Sequence, residues 1–171
     1  MKRLAVIFGL IVLLTGGCGY SFRSDRSALP DGVHTISVPT VKNATTYTEL
    51  TNSLTNQLIH QFTLSQDLRV TVPDEADAIL ETEIKSVQIQ GAARSSDRSS
   101  SASRRVIVEV AAVLKLKEGG TVVWQTDRVE GRRTYRVVTD QSVVEANLSL
   151  ALQDIAQEIA EKIQRYIFED F

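Results

Sequence analysis

Two stretches of the chain repeat apolar residues at helical spacing, and most of what lies between them alternates at a period of two. Leu50, Leu54, Leu58 and Phe62 recur every four residues behind Thr46-Tyr47-Thr48-Glu49, a sequence that matches a capping box. That pattern predicts an amphipathic helix ending near Ser65. A second capping-box sequence, Ser142-Val143-Val144-Glu145, precedes Val144, Leu148, Leu152, Ile155, Ile159, Ile163 and Ile167. These residues lie on one face of a predicted helix of about seven turns. Strands are expected elsewhere. Residues 35–41 are β-branched and alternating, with Pro39 marking an edge or a strand end. Residues 68–72 form a short strand that stops at Pro73-Asp74.

Residues 79–89 begin with Leu80, Thr82 and Ile84 on one face and continue with Val87 and Ile89, one position out of phase. Such a slip predicts a bulge or a twist past the edge of the core. Val106, Val108, Val110, Ala112, Leu114 and Leu116 keep a strict period of two. Glu118-Gly119-Gly120 then predicts a hairpin turn into residues 121–126, with Val122 and Trp124 on one face, and a further strand over 129–138. A β-α-β unit, a run of strands and a long closing helix together imply an α+β two-layer sandwich. The first crossover should bring parallel strands together, and the later hairpins antiparallel ones. Each helix has a single apolar stripe, so both helices are expected on one face of a mixed sheet of at least four strands. The other face is then polar or held against a partner.

The first residues do not fit this pattern. Lys2 and Arg3 precede an unbroken apolar run over residues 4–14, then Thr15-Gly16-Gly17-Cys18. A membrane-spanning helix needs about 20 apolar residues, so the run is too short to cross a bilayer and has the form of an export signal. The chain's one cysteine stands where the small residues end, the place of the lipidated thiol in a lipoprotein signal. Leu14 stands four positions before it, where such signals usually have leucine at three. The expected organisation is a signal peptide over 1–17, a lipidated tether over 18–32 and one α+β domain over 33–171. Acyl chains on Cys18 would hold the protein at a membrane, and Gly19 after the cysteine is compatible with the outer membrane.

The 171 residues carry 19 basic and 21 acidic side chains, for a net charge of −2. This near balance hides an uneven distribution. Between positions 94 and 136 there are ten basic and five acidic residues, and eight of the ten are arginine. Arginine's planar fork pairs bidentately with phosphate or carboxylate, which a lysine ammonium cannot do. Arg94, Arg98, Arg104 and Arg105 lie on or beside the stretch 92–103, which also holds six serines. In the strand over 129–138, period-two geometry places Arg132, Thr134 and Arg136 on one face, with Arg133 and Tyr135 on the other. Arginines gathered at one end of a domain would attract a polyanion. For an exported, lipid-anchored protein, the abundant phosphorylated candidate is the lipid A of lipopolysaccharide. Nucleic acid matches the charge but not the compartment, and no aromatic-interleaved RNA motif is present.

Catalytic signatures are absent from the sequence: it has no G-x-S-x-G, H-E-x-x-H or P-loop. His34 and His60 are expected at the surface, and no metal or other cofactor is expected. In order along the chain, Gly17-Cys18-Gly19-Tyr20-Ser21-Phe22, Leu29-Pro30, Thr35-Ile36-Ser37-Val38-Pro39, Lys42-Asn43-Ala44-Thr45 and Glu75-Ala76-Asp77-Ala78-Ile79-Leu80 resemble the LptE family of lipopolysaccharide-assembly lipoproteins. The resemblance covers essentially the whole chain after the signal. It implies a non-enzymatic domain of two helices on a mixed sheet, seated as a plug inside an LptD β-barrel at the periplasmic side of the outer membrane. It also implies lipopolysaccharide binding by basic residues at strand ends and loops, with Arg94, Arg98 and Arg136 as the candidates it singles out; the charge pattern adds Arg104, Arg105 and Arg132. The rival expectation is a periplasm-facing scaffold or peptidoglycan-binding lipoprotein with no barrel partner.

Overall fold

In the computed structural model, residues 29–30, 32–65, 68–91 and 102–169 are described. Cys18, the signal peptide, most of the tether, Arg94, Arg98 and most of the serine-rich stretch lie outside the described residues. The elements in chain order are β1 (Thr35–Ser37), β2 (Lys42–Asn43), α1 (Glu49–Leu64), β3 (Arg69–Val70), a 3-10 turn (Pro73–Glu75), β4 (Ala78–Gly91), β5 (Ser103–Leu116), β6 (Val122–Arg136) and α2 (Gln141–Glu169). They form one mixed sheet of six strands in the order β3-β1-β4-β5-β6, with β2 also paired to β4. β1 runs parallel to both β3 and β4, and β4, β5 and β6 are antiparallel. The α+β expectation holds, with both helices packed on the same side of the sheet.

Several predicted elements need correction. Of residues 35–41 only Thr35–Ser37 is strand, because the chain leaves the sheet around Pro39, which has no N–H for the ladder, and rejoins it as β2 at Lys42. β1 lies between β3 and β4, so the proline marks a strand end and not a sheet edge. Residues 121–126 and 129–138 are not two strands. One strand, β6, covers residues 122–136 of them, and a register shift opposite Ala111 absorbs the change of apolar phase between Trp124 and Val129. A second shift, opposite Leu114 and Lys115, turns Val122 out to 46% exposure while Trp124 stays buried at 7%. The predicted slip in β4 is present as an irregularity between Ile84 and Ser86. Gly119 and Gly120, at φ 74° and 63°, make the tight turn that joins β5 to β6.

Neither predicted capping box is used as such. α1 begins after Thr48, whose side chain makes no capping bond. The turn into α1 is built on Asn43, whose Oδ1 accepts from Thr45 N and Thr45 Oγ1, both at 2.8 Å. Asn43 Nδ2 donates to Tyr47 O at 2.9 Å. At α2 the cap is Asp140, two residues before the predicted Ser142. Its Oδ1 accepts from Ser142 N at 2.9 Å and Ser142 Oγ at 2.7 Å, and these bonds hold the carboxyl below its ordinary range.

The core lies between the helices and one face of the sheet. Leu50, Leu54, Leu58 and Phe62 of α1 meet Ile36, Leu80 and Ile84 of the sheet there, with Leu152, Ile155, Ile159, Ile163 and Ile167 of α2. Ala151, Ala156 and Ala160 are buried along the same helix and let it approach closely. At the end of the sheet where β4 starts, Asp77 Oδ2 accepts from Thr35 Oγ1 at 2.7 Å, Thr35 N at 2.9 Å and His34 N at 3.0 Å. The hydroxyl bond is foremost in depressing its carboxyl pKa, and together these bonds lock β1 to β4. Thr82, 5% exposed on the core side of β4, has a hydroxyl with no partner among the described residues. An unmade buried hydrogen bond costs about 1–3 kcal/mol, so Thr82→Val should stabilise the fold by about 1 kcal/mol. That gain would appear as a rise in Tm of roughly 2–4 °C in a thermal melt. A fall in Tm would mean that the hydroxyl has a partner.

Candidate functional site at the arginine end of the sheet

Alternation along β5 and β6 decides where the described arginines point. Val106, Val108 and Val110 are buried on the helix side, so Ser103, Arg105, Ile107 and Glu109 occupy the open face. In β6 the core side carries Val129, Gly131 and Tyr135, which leaves Glu130, Arg132, Thr134 and Arg136 open. The register sets Ser103 opposite Arg136, Arg105 opposite Thr134 and Ile107 opposite Arg132. Arg105 is therefore flanked on both diagonals, by Arg132 and Arg136, at the diagonal-neighbour spacing of about 7–8 Å. All three are exposed. Arg104 stands at the same end but on the opposite face, paired across the ladder with Tyr135. Of the four predicted site arginines within the described residues, three thus share a face and the fourth is turned away from them.

Ion pairs divide these arginines further. Arg128 contacts Glu109 Oε1 at 2.6 Å and Glu130 Oε2 at 2.8 Å, and Arg132 contacts Glu130 Oε1 at 2.6 Å. Ser86 Oγ donates to the other oxygen of Glu109 at 3.2 Å. This chain of contacts crosses the open face and ends at Arg132. On the helix side, Arg133 is bound to Glu158 of α2, which Lys162 also grips at 2.7 Å. Burial opposes ionisation of Glu158, but the two cations outweigh it and hold the carboxyl below its ordinary value. Arg133 is therefore a structural tie between β6 and α2. Arg104, Arg105 and Arg136 make no ion pair within the described residues.

The rest of the open face alternates in sign. Glu81 pairs with Lys115 at 2.9 Å and Glu83 with Lys85 at 2.6 Å, among half-buried Ile79, Ala111 and Val113. Lys115's hydrogen bond is foremost in depressing the Glu81 pKa. This surface is balanced along most of its length and positive at one end. Like charges held this close repel one another unless an anion lies between them. Arginine at such spacing is suited to phosphate, which it can grip with paired N–H donors. The neutralising role of Glu109 and Glu130 is what sequence reasoning missed. The signal available was their place in the same alternating phase as the arginines.

His34 and His60 are exposed, and no group of three or more metal-ligating side chains occurs among the described residues. No helix among the described residues is long and apolar enough to cross a membrane.

Comparison with solved structures recovers the same architecture. An uncharacterized lipoprotein B from Nitrosomonas europaea is 16% identical, with a TM-score of 0.52 over 88% of this chain and 90% of that one. A minor lipoprotein from Acinetobacter baumannii is 11% identical, with a TM-score of 0.51 over 81% of this chain and 92% of that one. A putative lipoprotein from Caulobacter crescentus is 17% identical, with a TM-score of 0.50 over 77% and 86%. At these identities the likeness establishes the fold alone. Among curated proteins no sequence relative matches. A protein-family model described as "LptE: Lipopolysaccharide-assembly" matches residues 33–167. That span runs from just before β1 almost to the end of α2 and takes in every strand, so the chain belongs to the LptE lipopolysaccharide-assembly family.

Proposed function

We propose that this protein is an outer-membrane lipoprotein, acylated at Cys18, that seats in an LptD β-barrel, assists its assembly and binds lipopolysaccharide for insertion at the cell surface. The observation that carries this is the exposed set Arg104, Arg105 and Arg136 at one end of the sheet, without acidic partners among the described residues, in a member of a lipopolysaccharide-assembly family. Guanidinium groups at this end grip lipid A phosphates, and Arg94 and Arg98 are assigned to the same task. The work is binding and shaping, with no bond made or broken.

Two further features support the proposal. A barrel lumen is a polar wall, and the open face of the sheet presents alternating acids and bases that can pair with such a wall. The ends of the molecule are also differentiated. Leu29 is buried in the core, and Pro30 lines a shallow cleft with Leu116 and Lys117, where β5 finishes. The arginines lie where β5 starts. Thirteen residue steps separate those ends, about 40 Å along an extended strand. Leu29 and Pro30 therefore stand at the end remote from the arginines, which supports separate surfaces for anchoring and glycolipid binding.

Coexpression with the LptD barrel of the same genome tests this directly. The chain should copurify with a tagged barrel in detergent, and Cys18→Ala should keep that contact while leaving the membrane fraction when expressed alone. A barrel that purifies fully assembled without the chain would favour the free-standing scaffold instead.

A further inference from the structure

The arginine end also carries exposed aliphatic side chains. Among the described residues, seven large hydrophobic side chains are exposed, and four of them lie toward this end: Ile89 at 37%, Val138 at 36%, Val143 at 43% and Leu150 at 60%. Single exposed aliphatic residues need no explanation, but a concentration beside unpaired charge does.

Local bonding places these groups. The ladder between β5 and β6 continues past Arg136, since Val137 N donates to Ala102 O at 2.7 Å. Val138 follows at the turn into α2. Asn147 Nδ2 then donates to Arg136 O at 3.0 Å and ties the second turn of α2 to the strand end. Val143, Asn147 and Leu150 are spaced i, i+4 and i+7, so they share one stripe of the helix. The bond to Arg136 thus sets Val143 and Leu150 on either side of the point where the strand end meets the helix. Farther along, the same stripe becomes polar and acidic, with Asp154, Gln157 and Glu161. The aliphatic part is confined to the arginine end.

We propose that this strip is an acyl-chain subsite: Val143 and Leu150, with Val138, take fatty-acyl chains of a phosphorylated glycolipid whose phosphates are held by Arg104, Arg105 and Arg136. This rests on the glycolipid-binding function proposed above and adds the part of the ligand that the strip recognises. Phosphate recognition alone would leave these side chains without a role. An amphipathic ligand, with anionic and hydrocarbon parts joined in one molecule, meets both surfaces at once, and burial of methylene groups against Val143 and Leu150 adds to the electrostatic contact.

The test uses the full chain and Val143→Gln/Leu150→Gln. Both positions are exposed and glutamine is a good helix former, so the unfolding midpoint should stay at the wild-type value. Probes are bisphosphorylated, acylated lipid A, the same glucosamine disaccharide with all acyl chains removed, and phosphatidylglycerol vesicles. The double variant should bind lipid A roughly tenfold more weakly and bind the deacylated disaccharide as the wild type does. Unchanged lipid A affinity, or equal losses for both glycolipid probes, would overturn the subsite while leaving the arginine assignment standing. Equal losses for lipid A and for phosphatidylglycerol vesicles would also overturn it, because the strip would then be a general membrane contact. Failure of the wild-type chain to bind the deacylated disaccharide would instead remove the arginine assignment on which the subsite rests.

Discussion

Replacing Gly131 by alanine should destabilise the fold by about 1–3 kcal/mol, the usual cost of overpacking a filled interior. A Cβ at this position would stand 2.7 Å from Ile155 Cγ2 and 3.0 Å from Ile159 Cγ1. The backbone of β6 needs no glycine conformation here, because φ is not positive, so the constraint is space alone. Alanine would otherwise help by restricting the unfolded chain, an effect of about 0.5–1 kcal/mol. The clash wins because the nearest atom belongs to a β-branched side chain on a helix, where χ1 has one strongly preferred rotamer. Ile155 cannot swing away, so α2 must lift from the sheet and loosen its contacts along β6. Gly91→Ala provides the control, since nothing among the described residues lies within 4 Å of the Cβ it would gain. Urea denaturation should show a lower midpoint for Gly131→Ala and an unchanged one for Gly91→Ala. Combined with Ile155→Ala, the Gly131 change should cost less than it does alone, by about 1 kcal/mol of coupling. Full additivity would mean that the close approach is not what the glycine serves.

The same region shows why part of the fold was legible in the sequence and part was not. Alternation is a local property, so the strict period of Val106, Val108, Val110, Ala112 and Leu114 located β5, and the phase slip after Ile84 marked the irregularity in β4. Parity also sorted Arg132 and Arg136 from Arg133 and Tyr135 correctly. What failed depended on a partner distant in sequence or on a choice between neighbouring signals. The break between the strands expected over 121–126 and 129–138 coincides with a change of apolar phase after Trp124. It is a bulge because β5 continues opposite and pairs on both sides of it. Ser142 and Glu145 fitted a capping box, yet Asp140 two residues earlier reached the free N–H groups first. The neutralisation of Arg133 by Glu158 joins residues 25 positions apart, on a strand and on the helix that folds back over it. For the candidate site, sequence revealed the surplus of arginine. Only the register shows which guanidinium groups converge and which are tied to acids.

Charge reversal at Arg104, Arg105 and Arg136 together should weaken lipopolysaccharide binding by about 100-fold or more. A hydrogen bond to a charged group contributes about 1.5–3 kcal/mol, and each factor of ten corresponds to about 1.4 kcal/mol. Loss of two effective phosphate contacts therefore suffices, and the introduced carboxylates add repulsion. The three side chains are exposed and without acidic partners among the described residues, so glutamate at these positions should leave the denaturation midpoint near the wild-type value. Salt separates this from a loss of shape. Attraction between exposed charges fades over about 8 Å at physiological ionic strength, so wild-type binding should weaken as salt rises and the reversed variant should respond little. Arg133→Gln supplies the converse. It breaks the tie to Glu158 and leaves a half-buried carboxylate with Lys162 alone, so it should lower stability and spare lipopolysaccharide affinity. Arg132→Gln should fall between the two, because Glu130 already holds part of its guanidinium. If the triple variant binds as the wild type does, phosphate recognition does not reside at this end of the sheet, and the open face loses its claim to the glycolipid. If Arg133→Gln alone abolishes binding, the ligand enters from the helix side, where the ion pairs with α2 would have to open first.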